Sequence, residues 1–157
     1  MEIKEIVAEI KKSGRVCILE GSGQILELIA PNAWNMEQDA KDGVFLLFEI
    51  FQIRTIAEPF SEISLDIVEF ATKPTIYHSP ASKMLPAGPV QDGLVRFALI
   101  KKDFWNKLLF AYSQALILQF PKGKKAMFET KEYFPLLSAG TKEMFLDGEG
   151  LVKILKA

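Results

Sequence analysis

The sequence holds one cysteine and one histidine, Cys17 and His78. A single cysteine excludes an internal disulfide, and this pair is too few for a Cys/His zinc cage. Long apolar runs are also missing. Runs such as Val44–Phe48 and Ala115–Leu118 have strand length, far short of the ~18 residues of a membrane span. No apolar stretch of signal-peptide length follows the start, Met1-Glu2-Ile3-Lys4-Glu5, so a cytoplasmic protein without a membrane partner is expected. Lys plus Arg number 19 against 20 Asp plus Glu. A basic footprint over the whole chain is therefore absent, although a local patch remains open. Gly21-Ser22-Gly23 lacks the Gly-Lys-Ser/Thr ending of a Walker A loop and the third glycine of a dinucleotide loop. No Gly-x-Ser-x-Gly elbow occurs either.

What is present suffices for a core. Hydrophobic residues make up 49% of 157, which argues against disorder and fits one domain, residues 1–157. Ile3, Ile6, Val7 and Ile10 recur at helical spacing, predicting an amphipathic helix that Ser13-Gly14 ends. Arg15–Leu19 reads as a buried strand and Gln24–Ile29 as a second. Asn35 caps a helical turn over Asn35–Ala40. Val44–Phe48 predicts a strand and Ile50–Ala57 a short helix. Ser61 caps a helix with Ile63, Ile67 and Phe70 on one face. Thr75–Ser79, Leu94–Ile100 and Ala115–Phe120 read as strands, and Pro80–Gln91 as a surface loop. A helix from Asp103 turns Phe104, Trp105, Leu108, Leu109 and Tyr112 inward. Lys131–Ser138 predicts a helix shortened by Pro135. Asp147-Gly148-Glu149-Gly150 joins a closing hairpin. The sum is an α/β chain of the α+β type, a mixed sheet with flanking helices.

Few residues suggest chemistry. His78 is the sole histidine any triad can use, and a lone strand histidine is more often structural. Cys17 lies in an apolar strand, where thiols are inert. Glu62, Asp66 and Glu69 read as a solvated helix face. Lys122, Lys124 and Lys125 cluster on a loop, with Lys131 following. Such a loop either holds phosphates or is simply solvated.

A longer pattern runs through Phe70–Phe110. It reads Ala71-Thr72-Lys73-Pro74-Thr75-Ile76-Tyr77-His78-Ser79, then Ala81-Ser82-Lys83-Met84-Leu85-Pro86. It continues with Gln91-Asp92-Gly93-Leu94-Val95-Arg96-Phe97-Ala98 and Lys102-Asp103-Phe104-Trp105-Asn106-Lys107-Leu108-Leu109. In order and spacing this resembles the middle of YrdC-family threonylcarbamoyl-AMP synthase domains. The first helix and strand, Leu65–Glu69 and Gly150–Lys156 resemble the flanks of those domains more loosely. The resemblance implies a twisted, mixed YrdC-like sheet with helices around a large cleft. It also implies a reaction of threonine, bicarbonate and ATP, with Mg²⁺, toward tRNA modification, and a basic concave surface able to hold RNA.

The working positions of that family are largely absent. Its Pro-Thr-Asp/Glu-Thr turn is Leu19-Glu20-Gly21-Ser22-Gly23-Gln24 here, leaving Ser22 as one hydroxyl and Glu20 as a carboxylate that repels phosphates. Its Lys-x-Arg has no counterpart between Asn32 and Val44. Its strand arginine aligns with Ala98, and Arg96, two residues earlier, shares that face. Its Ser-Ala-Asn falls within Leu116–Lys122, which has no Ser-x-Asn, and its late Ser/Thr pair reduces to Thr141. Losing several preorganised donors should abolish the reaction. The expectation is a degenerate YrdC-like domain with no catalytic residues, no metal and no cofactor. It would bind a nucleotide or RNA through Ser22, Arg96, Lys122, Lys124, Lys125 and Thr141. Two alternatives stay open. One is an unrelated α/β module that meets a protein partner or its own copy through exposed aromatics of Val44–Phe51. The other is an active nucleotidyltransferase using ATP, with Ser22, Glu20, Arg96 and Thr141 converging.

Overall fold

The computed structural model describes residues 3–85 and 87–156. Pro86 of the Leu85-Pro86 loop lies outside them. The first helix, α1 (Ile3–Ser13), buries Ile6, Val7 and Ile10. It ends as the sequence requires: Gly14 takes φ +87° and its N–H donates to the Ile10 carbonyl at 2.8 Å.

Among the described residues nine strands form one mixed sheet. In chain order they are β1 (Arg15–Leu19), β2 (Ile25–Ile29), β3 (Val44–Leu47), β4 (Thr75–Pro80), β5 (Leu94–Leu99), β6 (Leu116–Gln119), β7 (Phe128–Glu129), β8 (Lys142–Leu146) and β9 (Val152–Lys156). Their spatial order is β7-β1-β2-β6-β3-β5-β4-β8-β9. The pairs β1–β7, β3–β5 and β4–β8 are parallel and the rest antiparallel. Strand alternation sends neighbouring residues to opposite faces, and the sheet carries a core on each. One core joins Ile18, Leu28, Leu46, Ala98 and Leu118 to α1 and to α3 (Asp103–Tyr112). The other joins Phe45, Phe97, Tyr77 and Ile117 to α2 (Glu62–Glu69) and a 3₁₀ turn over Ile50–Thr55.

Three expectations change. Ser61 caps α2, accepting from the Ser64 N–H at 3.2 Å, but the inward residues are Ser64 and Val68. Ile63 and Phe70 are exposed. The Ser64 hydroxyl donates to the Asp147 carbonyl at 2.9 Å, and so small a residue lets the helix lie close to the β8–β9 turn. Residues 131–138 form no helix. Only Pro135–Leu137 makes a 3₁₀ turn, because the preceding backbone is spent on tertiary partners. Of the aromatics in Val44–Phe51, Phe45 is fully buried and Phe48 half-buried, leaving only Phe51 exposed. No interface of exposed aromatics exists there. Phe45 also packs against Gly88, where a Cβ would lie 2.4 Å from its ring.

No helix among the described residues is long and apolar enough to cross a membrane.

Candidate functional site

The turn after β1 organises the site. Glu20 is buried, and its carboxylate accepts four bonds. Oε2 takes the Ser22 N–H at 2.7 Å, the Gln24 N–H at 3.1 Å and the Ser22 hydroxyl. Oε1 takes the Phe134 N–H at 3.1 Å. Burial pushes this carboxyl up, but the donors from Ser22, Phe134 and Gln24 outweigh it and hold it below the usual carboxylate range. The Gly21 N–H donates to the Glu132 carbonyl at 2.9 Å. A Cβ on Gly21 would lie 2.4 Å from the Lys131 carbonyl oxygen, so only glycine admits that strand of backbone.

Residues 131–138 are thus strapped along the turn. The Trp105 indole N–H donates to the Tyr133 carbonyl at 3.0 Å. Phe134 is buried edge-on against Trp105, ring centroids 5.0 Å apart. The strap and the start of α3 wall a groove of about 790 Å³, with Ser22, Pro74, Lys101, Lys102, Phe104 and Tyr133 among its lining residues. A smaller pocket of about 200 Å³ adjoins it, sharing Pro74, Lys101, Lys102 and Pro135. A third, about 280 Å³, opens over the sheet beside Arg96, Ile76 and Leu136.

The sequence-derived site residues do not come together in one place. Ser22 reaches the groove, with its proton committed to Glu20. Arg96 donates to the Asp42 carbonyl and to Glu143 Oε1, the latter at 3.2 Å. That same oxygen meets His78 Nε2 at 2.9 Å, and these two partners draw the Glu143 carboxyl below its ordinary range against its partial burial. His78 and Arg96 are cross-strand neighbours, so the lone histidine sits in an ion-pair row. Thr141 is buried, its hydroxyl shared with Ser138 (3.2 Å) and the Pro135 carbonyl (3.4 Å). Lys122 and Lys125 are exposed on their loop. Lys124 instead bonds buried Glu27 at 2.7 Å. Cys17 is buried, and burial pushes its thiol up, with Glu27 adding to the shift.

Glu27 is the buried centre of a polar network that no local motif marks. Arg15 grips Asp39 with two bonds of 3.0 Å and reaches Glu27 at 3.5 Å. Gln119 donates to both carboxylates, at 2.7 Å to Glu27 and 3.2 Å to Asp39. Asp39 also accepts from the Asn35 N–H at 2.6 Å. Burial raises the Asp39 carboxyl, and Arg15 and Asn35 more than reverse it. The region expected to hold the family's Lys-x-Arg is therefore a turn folded onto Arg15. Lys73, just before β4, and Lys101 and Lys102, between β5 and α3, line these pockets although no motif marks them. Among the described residues no cluster of three or more His, Cys, Asp or Glu side chains is placed to hold a metal ion.

The fold is that of a YrdC-like domain. E. coli YciO superposes with a TM-score of 0.71 at 11% identity, over 99% of this chain and 89% of that one. A variant of P. abyssi Sua5 gives 0.69 at 13% identity, over 99% of this chain and 56% of that one. P. abyssi Sua5 complexed with L-threonine gives 0.67 at 10% identity, over 93% and 52%. The chain thus spans about half the length of the Sua5 chains it matches. No protein-family model matches the sequence, and no curated protein does. At such identities the likeness is one of fold; function belongs to the site.

Proposed function

We propose that residues 1–157 are a YrdC-like domain that binds a phosphate-bearing ligand, a nucleotide or an RNA segment, and does not carry out the synthase reaction. The carrying observation is Glu20. Where the resemblance implies hydroxyl donors for substrate, this chain has a carboxylate that accepts from its own backbone and Ser22. The strap it holds occupies the space beside the turn, and Arg96 and Thr141 are turned to internal partners. Phosphoryl chemistry needs concentrated free cations at the phosphates, and the groove has them only at its lysine rim. Binding asks less: exposed lysines hold phosphates through counterion release. Lys102, Lys122 and Lys125 fit that role, and no cofactor is required.

With ATP, threonine and bicarbonate, the protein should release no pyrophosphate and form no threonylcarbamoyl-AMP. Titrations with ATP, AMP and tRNA at low salt should show binding of at least one. Lys122→Glu with Lys125→Glu should weaken it by roughly tenfold or more and flatten its salt dependence. Turnover, or silence from all three ligands at low salt, overturns the proposal.

The interaction-module reading retains one favourable observation, at β9 instead of Val44–Phe51. This edge strand is exposed at every residue, with Ile154 64% and Val152 42% accessible. Open apolar edges pair with other strands. Ile154→Lys should therefore abolish any concentration-dependent association seen by sedimentation, and association that persists unchanged removes this reading.

A further inference from the structure

Helix α2 turns part of its apolar stripe outward. Ile63 is 67% and Phe70 71% exposed, while the helix gives the core Ser64 and Val68. Ile63 and Phe70 lie seven residues apart, two helical turns, and share a face with half-buried Ile67 between them. Glu62, Asp66 and Glu69 repeat that spacing alongside, all exposed. α2 itself holds no lysine or arginine. Lys101, near its end, donates to the Glu69 and Ala71 carbonyls. Large apolar side chains aligned beside three carboxylates make a row, unlike single scattered exposures.

The other face of the sheet carries a counterpart. α1 and α3 leave a groove of about 400 Å³, lined by Ile3, Lys4, Val7, Ala8, Lys11 and Ala111. Ala8 and Ala111 stop at Cβ and leave its floor open. Lys4 and Lys11 are exposed and also seven residues apart, so they stand on one side of α1, separated by about 10 Å along its axis. Exposed Lys107 precedes Ala111 by one turn of α3. No acidic residue lines the groove. Glu5 and Glu9 fall on the next face of α1.

We infer that α2 of one copy docks in the α1–α3 groove of another. Ile63, Ile67 and Phe70 lie over Ala8 and Ala111, and Glu62, Asp66 and Glu69 face Lys4 and Lys11. The two surfaces match in length, since both repeat over two turns, and are opposite in charge. They lie on opposite sides of the sheet, because α1 and α3 cover one core and α2 the other. A contact between unlike surfaces is head-to-tail, so every docked pair keeps one free groove and one free α2, and assembly continues past a dimer. The surfaces are separate from the groove beside Glu20 and from β9.

Sedimentation of wild-type protein at low salt should show a mean mass that rises with concentration beyond that of a dimer. About 0.5 M NaCl should weaken the assembly several-fold, because exposed charge pairs are screened. Two variants break opposite halves of the contact. Lys4→Glu with Lys11→Glu spoils only the groove, and Ile63→Ser with Phe70→Ser spoils only α2. All four side chains are exposed, so both variants should melt close to wild type. Each alone should stay monomeric where wild type assembles, its affinity for itself reduced roughly tenfold or more. Mixed in equal amounts, they should form a one-to-one complex and nothing larger, since the first supplies an intact α2 and the second an intact groove. The inference fails if wild type stays monomeric up to about 500 µM, a level that would register affinity near a millimolar. It also fails if either variant assembles as wild type does, which is the result that pairing through β9 would give, or if the mixture forms no complex. A wild type that stays monomeric but binds tRNA through Lys4 and Lys11 gives the groove to another occupant and overturns the inference too. ATP binding beside Glu20 bears on none of these outcomes.

Discussion

Glu20→Ala should lower the unfolding free energy by about 2–4 kcal/mol, because it strands the buried Phe134 N–H and removes the charge-assisted bonds from Ser22 and Gln24. Urea denaturation measures it. Ser22, Gln24 and Phe134 all lose their acceptor. The strap over residues 131–138 then keeps its bonds to Gly21, Trp105 and Thr141 but loses its anchor at Phe134, so faster amide exchange at Phe134 should accompany the loss. The pH dependence has a definite sign. The folded Glu20 carboxyl lies below its ordinary value, so its contribution is complete above the unfolded carboxylate range. It is lost as pH falls through the depressed folded value. Glu20→Gln should therefore differ most from wild type near neutrality, and the gap should narrow in acid. A gap independent of pH would show that the carboxylate charge does not hold the strap.

Arg15→Met should cost a similar amount, about 3–5 kcal/mol, by leaving the buried Asp39 carboxylate without its counterion. Asp39 loses both of its 3.0 Å bonds to arginine. Glu27 loses only a 3.5 Å contact and keeps Lys124 at 2.7 Å. Arg15→Lys should recover only part of the loss, since an ammonium cannot make the two-pronged contact. A double variant, Arg15→Met with Asp39→Leu, should be less destabilised than the sum of the two singles. Simple additivity would mean that Arg15 acts through its contact with the Ala33 carbonyl and not through Asp39.

Most of the fold was legible because it is written in local patterns. Ile6, Val7 and Ile10 mark α1 by spacing alone, and Ser13-Gly14 marks its end. Arg15–Leu19 and Val44–Phe48 are apolar enough to be strands in any context. The failures share one cause. Lys131–Ser138 has helical composition, but Gly21, Glu20 and Trp105 take its backbone groups from far along the chain. Of the apolar stripe Ile63, Ile67 and Phe70, only Ile67 packs against the core, and the buried positions are Ser64 and Val68. The family resemblance was legible for a different reason: scaffold residues such as Lys73-Pro74-Thr75 and Asp92-Gly93 follow one another in a recognisable order and spacing.

The candidate site was legible only as a set of residues out of place. From sequence, Glu20 was a carboxylate where a hydroxyl was expected. The structure makes it the anchor of the strap. Lys122, Lys124 and Lys125 looked equivalent, and Glu27 singles out Lys124.

The sequence by itself therefore determined an α/β chain whose elements run in YrdC-like order. Periodicity, turn residues and motif spacing act over a few residues and can be read directly. The tertiary structure decided which polar groups are satisfied internally and which still face a cavity. That depends on partners as distant as Glu20 and Phe134, 114 positions apart, and distances across the fold are not encoded in any local pattern.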